Sequence, residues 1–371
     1  MHNGALGDFL SAWPAIYALA CHYNSCPQSN SCSQKNHNPQ TSPKLIFAGK
    51  SEWLPWLLPL GFKAATPEIQ KTVENLYTAS KWPSDLNSSK IFWFCLQAPP
   101  LELRHDNLVF LPALDFGSGC GGELYFEENR PPTPALSGVM QNLRFHLRAH
   151  LGPALWPVGK QTETGPSWQS AWQALFGGWG KPALGGMIRA GSKSDGPQSV
   201  EIALVPGAGH RKKQWPLPCF EEVASALQKR GFSPVFLFGP AEEERGLRLS
   251  EEAQAVFRAE CPTPAQTLGQ RLLQMRLIIA CDGGPAHLAA MHGVPGLVLF
   301  GPTSPAVWAP PGLKVISPDW NNVEPALRAS YQQPLCDPKE IDPNMASSLD
   351  LITPQEVLQV ALPLLGLSNA Q

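Results

Sequence analysis

No apolar run in this sequence reaches the ~18 residues that a transmembrane helix needs. The densest stretch, Trp53 to Phe62, is cut by Pro55 and Pro59. Charge is scarce as well, at 16% of residues, and it is balanced: 28 Lys+Arg against 30 Asp+Glu leaves −2. Neutralising a phosphate backbone needs a marked basic excess, so a general nucleic-acid binder is excluded. There is no Cys-x-x-Cys. The nine cysteines are odd in number and scattered, and Cys95, Cys219 and Cys281 sit in or beside apolar segments. They read as free thiols of a reducing cytoplasm rather than a disulfide framework.

Several site signatures are missing. No Asp-x-Asp is present to hold a metal on a pyrophosphate. Gly49-Lys50-Ser51 follows an apolar segment, but position 44 is Lys where a phosphate loop needs Gly. His146 and His150 stand one helical turn apart without the Glu of a zinc helix. The N-terminus imitates a lipoprotein signal, since Phe9 to Ala20 is apolar and ends at Cys21. The residues before it carry one certain charge, Asp8, and it is negative, so the segment reads as a helix of a folded domain.

What the sequence does have is proline, 39 residues, and glycine, 32, spread over 371 positions. That length predicts two or three domains with Pro-rich connections. In the second half, apolar strands at 200–205, 234–238, 277–281 and 296–300 alternate with helical stretches at 220–227, 241–252, 268–275 and 285–292. This alternation implies βαβ units on a doubly wound parallel sheet. The first half predicts a helix over 7–21, strands at 45–48, 91–96 and 108–111, and a helix over 134–151. A polar tract at 24–43 reads as an insertion, and 185–197 as a linker. Thr353-Pro354-Gln355-Glu356 is a capping box opening a last helix. The expected domains are 1–190, 198–350 and a closing helix in 351–371.

Four glycine-bearing loops stand at strand ends or helix mouths. Gly4-Ala5-Leu6-Gly7-Asp8 opens the first helix, where Asp8 falls in the first turn. Gly207-Ala208-Gly209-His210-Arg211-Lys212-Lys213 follows a strand. It places Lys212 where a dinucleotide fingerprint wants its third glycine, which disfavours an NAD enzyme, yet its basic run suits a phosphate. Cys281-Asp282-Gly283-Gly284-Pro285-Ala286-His287 joins a strand to a helix N-terminus, with Pro285 at the first helical position. Gly301-Pro302-Thr303 follows the next strand. In doubly wound folds the loops at strand C-termini build the binding crevice.

Together these segments resemble glycosyltransferase family 9, the lipopolysaccharide heptosyltransferase-like family. The resemblance rests on residues 4–20, 205–227 and 278–310, with 352–365 like the family's closing helix. It implies a GT-B fold of two Rossmann-like domains facing a cleft, an N-terminal one for the acceptor and a C-terminal one for the sugar nucleotide. It implies an inverting, metal-independent transfer without a cofactor, typically of heptose from ADP-heptose onto a lipid-linked lipopolysaccharide-core saccharide. The implied place is the cytoplasm, with peripheral contact at the inner membrane face. By the resemblance Asp8 is the general base, on an acceptor-side loop with Gly4 and Gly7. Lys213 holds the diphosphate, Asp282, Gly283, Gly284 and His287 line the donor pocket beside Gly207, and Glu242 lies near the nucleoside. The family commonly has Ser or Thr where Gly283 stands. It also has an apolar strand where only Met1-His2-Asn3 precede Gly4. The alternative expectation is therefore a catalytically impaired nucleotide-sugar-binding relative that lacks this strand.

Overall fold

The computed structural model describes residues 6–24, 44–95, 103, 105–114, 139–140, 143, 147, 151, 168–176 and 200–367. The chain divides into two compact units, Met1–Ala171 and Trp172–Gln371. Gly4, the linker read at 185–197, and the tract at 24–43 beyond Asn24 lie outside the described residues.

The first unit opens with α1 (Leu6–Asn24). Phe9 to Ile16 are buried without interruption. A helix that is apolar all round is a core helix, not a surface one. Its partner is the Trp53–Phe62 stretch, which Pro55 and Pro59 keep as two short 3-10 turns, Ser51–Trp56 and Leu58–Leu60. Phe9 stacks on Trp53 and Trp56 at 5.3 and 5.8 Å, and the Trp13 indole donates to the Trp56 carbonyl at 3.3 Å. β1 (Ile46–Phe47) pairs in parallel with β2 (Lys63–Ala64), and α2 (Pro67–Glu74) follows, capped by the Thr66 hydroxyl. β3 (Ile91–Cys95) pairs in parallel with β4 (Leu108–Pro112). Residues 139, 140, 143, 147 and 151 are helical, inside the helix expected over 134–151. Val139, Leu143 and Leu147 are buried at a spacing of four, which is one helix face.

The helix α3 (Trp168–Phe176) spans the division between the units. The second unit then carries β5 (Glu201–Val205), α4 (Leu217–Gln228), β6 (Ser233–Leu237), α5 (Pro240–Glu244), α6 (Glu251–Gln254), β7 (Arg258–Glu260), α7 (Ala265–Leu272) and β8 (Leu277–Cys281). It continues with α8 (Gly284–His292), β9 (Gly296–Leu299), α9 (Pro305–Trp308), β10 (Lys314–Ile316), α10 (Pro325–Arg328) and α11 (Pro354–Leu364). Six strands form one parallel sheet in the order β10-β9-β8-β5-β6-β7. The chain runs outward from β5 to one edge, then returns to β8 and runs to the other. β5 and β8 are neighbours, so the switch point of the sheet lies between their C-terminal ends.

β8 is buried at every position, as a central strand covered on both faces must be. α4 turns Phe220, Val223, Ala224 and Leu227 onto the sheet, as the i, i+3, i+4, i+7 spacing predicted. Burying each of the three larger side chains contributes roughly 1.5–3 kcal/mol. α11 opens with the expected Thr353–Glu356 capping box and packs on α4 and β9. α8 ends at Gly293, whose φ of +72° is open to glycine at little cost.

Three readings need correction. The single helix expected over 241–252 is two short ones, α5 and α6, interrupted at Gly246 (φ +70°). The helix expected over 268–275 lies earlier, at Ala265–Leu272. The strands β7 and β10 were not foreseen. Each is three residues long and lies at a sheet edge, where polar residues are tolerated. β7 is tied down by charge instead: Arg271 donates to Glu260 and Glu201, at 2.7 Å each, and Arg258 bonds the same two carboxylates. Among the described residues no helix is long and apolar enough to cross a membrane.

Candidate functional site

Three loops meet at the switch point. The loop after β5 runs to a 3-10 turn, Arg211–Lys213. The loop after β8 holds Asp282, Gly283 and the start of α8, and the loop after β9 holds Thr303. Lys213 Nζ lies 2.6 Å from Asp282 Oδ2, and both side chains are largely buried, 13% and 5% exposed. Thr303 Oγ1 donates to the same carboxylate oxygen at 2.6 Å. An ion pair withdrawn from water and completed by a hydroxyl is expensive to build for stability alone. It places a lysine ammonium between the C-terminal ends of β5 and β8, beside the N-terminus of α8, where free N–H groups favour an anion.

The basic run is sorted by this turn. The His210 imidazole accepts from the Lys212 amide at 3.2 Å through Nδ1. Lys212 Nζ turns to the Met345 carbonyl, and the Lys212 carbonyl accepts from Ser347 Oγ at 2.8 Å. Only Lys213 of the run pairs with Asp282. His210 is pushed below its usual pKa by burial, then by Lys213, Lys212 and Arg245. Arg245 donates to the carbonyls of Ala208 and Gly209 at 3.1 and 3.4 Å, holding the loop from outside.

Gly207 meets Glu242 across this loop. A Cβ on Gly207 would come within 2.5 Å of Glu242 Cδ. Glu242 is itself buried and fixed, because its carboxylate accepts from the Gly239 amide at 3.0 Å at the start of α5. Gly283 lies on the other side of Gly207: its Cβ would stand 3.7 Å from the Gly207 carbonyl oxygen. Gly283 and Gly284 lead into α8 as its N-cap and first residue. His287 follows within the first turns of α8, 4% exposed, with Nδ1 lacking a partner. Burial pulls its pKa down to about 4; Asp282 opposes this and Lys213 adds to it. The imidazole is neutral at pH 7.

Lys213, Asp282, Gly283, Gly284, His287, Gly207 and Glu242 thus share one neighbourhood in the second unit. Gly7 and Asp8 belong to the first unit, where Leu6, Gly7 and Asp8 are half-buried at the mouth of α1.

Residues 189–329 match the profile of glycosyltransferase family 9 (heptosyltransferase). That match falls within the second unit. Lipopolysaccharide heptosyltransferase 1 of Pseudomonas aeruginosa is 34% identical over 113 residues, which is 29% of this chain and 31% of that protein. Lipopolysaccharide heptosyltransferase 3 of Escherichia coli is 31% identical over 119 residues, 29% of this chain and 33% of that protein. The chain thus matches about a third of the length of these curated relatives. Two solved structures align over nearly the whole chain. The E. coli ADP-heptose lipopolysaccharide heptosyltransferase II gives a TM-score of 0.54 at 18% identity, covering 98% of this chain and 97% of that one. A family 9 glycosyl transferase from Veillonella parvula gives 0.56 at 14%, covering 98% and 95%. These likenesses establish the fold class, GT-B.

Two residues of the second unit carry little local signal of their part in the sequence. Thr303 was noted only as part of a loop, and its hydroxyl turns out to hold Asp282. Arg245 was not singled out, because nothing local links it to carbonyls 36 and 37 positions earlier.

Proposed function

We propose that the protein is an inverting glycosyltransferase that moves a sugar, heptose from ADP-heptose, onto a lipid-linked saccharide of the lipopolysaccharide-core type. The observation that carries this reading is the Lys213–Asp282 pair at the switch point, beside the N-terminus of α8. In such a transfer the departing diphosphate gains negative charge as the anomeric bond breaks. A fixed ammonium and the amides opening α8 stabilise that charge without having to reorganise. The neutral His287 imidazole adds a polar group to the same pocket without adding charge. Glu242, pinned beside Gly207, is the carboxylate offered to the nucleoside's ribose hydroxyls.

The attacking alcohol must lose its proton as it bonds to the anomeric carbon. We assign that proton to Asp8, the one acidic residue in the first turn of α1. A positioned carboxylate base supplies about 10²–10⁴-fold in rate. No metal or cofactor enters the scheme, and charge neutralisation rests on Lys213 and the helix. The reading places the enzyme in the cytoplasm, with peripheral contact at the inner membrane face where its acceptor is anchored.

The test is direct. The purified chain is incubated with ADP-heptose and a lipid-linked core saccharide, and ADP release and product configuration are followed by NMR. Stoichiometric ADP release with inversion at the anomeric carbon is the expected result. Donor binding without transfer to any core acceptor would instead favour a binding protein.

A further inference from the structure

We propose that Thr303 is a positioning residue that sets Lys213 for the diphosphate by holding Asp282; this deepens, and rests on, the nucleotide-sugar reading above. Lysine is a poor choice for precise placement, since its ammonium rides on a flexible four-carbon stem carrying ~2 kcal/mol of rotamer entropy. Asp282 offers it an anchor, but an aspartate anchored by lysine alone could rotate with it. Thr303 removes that freedom. Its hydroxyl donates to Oδ2 at 2.6 Å, the same oxygen that takes Lys213, in the short range of charge-assisted bonds.

Thr303 is in turn immobilised. It is 0% exposed. Its backbone bridges Leu335, with the Leu335 amide on the Pro302 carbonyl at 2.9 Å and the Ser304 amide on the Leu335 carbonyl at 2.8 Å. The Trp308 indole fixes the neighbouring Cys336 carbonyl at 2.7 Å. The geometry is a chain of restraint from the 335–336 segment through Thr303 and Asp282 to Lys213. An ammonium carries three donors. One is used by Asp282, so the others point where the anchored pair directs them.

The prediction separates anchoring from mere packing. Thr303→Val keeps the volume and removes the donor. It should weaken ADP binding about tenfold, the scale of one hydrogen bond to a charged group, while adenosine affinity stays at the wild-type level. Thr303→Ser should restore ADP binding to within about twofold. Thr303→Ala, which crowds nothing, should repeat the selective loss if the valine variant folds poorly. Calorimetry on the full chain reads all of these. Loss of ADP and adenosine affinity in equal measure, or full ADP affinity in Thr303→Val, would overturn the proposal. Lys213→Met is the reference. If it abolishes the ADP-over-adenosine preference and Thr303→Val keeps it, the anchoring idea alone fails. If Lys213→Met also keeps the preference, the diphosphate reading falls and the anchoring idea with it.

Discussion

Two aspartates stand at glycine-bearing helix mouths, and the structure treats them differently. Asp282 precedes α8 and is enclosed by residues from two other loops, an ammonium on one and a hydroxyl on the other. Asp8 sits in the first turn of α1, half-buried, just before eight consecutive buried residues carry that helix into its core. The first carboxylate takes both partners on Oδ2, which suits a group that organises binding. The second is half-buried at the mouth of α1, where the proposed function has it take the acceptor's proton. On the proposed function, similar local sequence, a glycine turn with an acid, carries two different tasks.

The sharpest way to break this contrast is to neutralise Asp8. Asp8→Asn should lower transfer about 10²–10⁴-fold and leave ADP affinity unchanged; single-turnover kinetics beside calorimetry would show it. Retained turnover would remove Asp8 from the mechanism and the contrast with it.

The engaged aspartate predicts a stability effect of similar size. Lys213→Met leaves Asp282 buried without its cation and should cost about 3–5 kcal/mol in chemical denaturation. Adding Asp282→Leu should recover most of that stability while the preference for ADP over adenosine stays lost. A double variant as unstable as the single one would mean that packing, not charge, holds the three loops together.

Acid should strain the second unit through its buried imidazoles. His287 and His292 are both lowered to about 4 by burial. In the unfolded chain they take up protons near pH 6.5, whereas folded they stay neutral until about pH 4. Between those values the unfolded state binds more protons, so stability falls as pH falls, by up to about 3 kcal/mol per histidine. Replacing His292 with Gln should flatten the unfolding curve measured between pH 7 and pH 4. An unchanged slope would show that the surroundings of His292 do not exclude its charged form.

The smallest effects come from the glycines flanking the site. Gly207→Ala drives a Cβ into the fixed Glu242 and should cost about 1–3 kcal/mol together with nucleoside affinity. Gly283→Ser meets only ordinary contacts from extended backbone, and should change stability by no more than about 0.5 kcal/mol. Thermal unfolding of the two variants side by side checks the difference.

Legibility followed the division between local and non-local. β8, five buried apolar residues, could be read directly, and alternation with α4 and α8 was enough to expect three loops at strand ends. β7, with the sequence Arg-Ala-Glu, could not be read, because a salt-bridge network rather than apolar burial holds it in place. Within His210-Arg211-Lys212-Lys213 the sequence shows four basic residues. Which one pairs with Asp282 depends on a 3-10 turn and on a carbonyl and a hydroxyl more than a hundred positions away. The Thr303–Asp282 bond spans 21 positions and leaves no periodic trace. The resemblance points to Lys213, and the folded sheet shows that it is the member of the run that pairs with Asp282.

The most direct measurement titrates adenosine, AMP and ADP into the full chain and its Lys213→Met variant by calorimetry. The account predicts affinity rising from adenosine to ADP in the wild type, and a variant that binds all three alike. Equal affinities in the wild type, or a preference for ADP that survives the loss of Lys213, would contradict it.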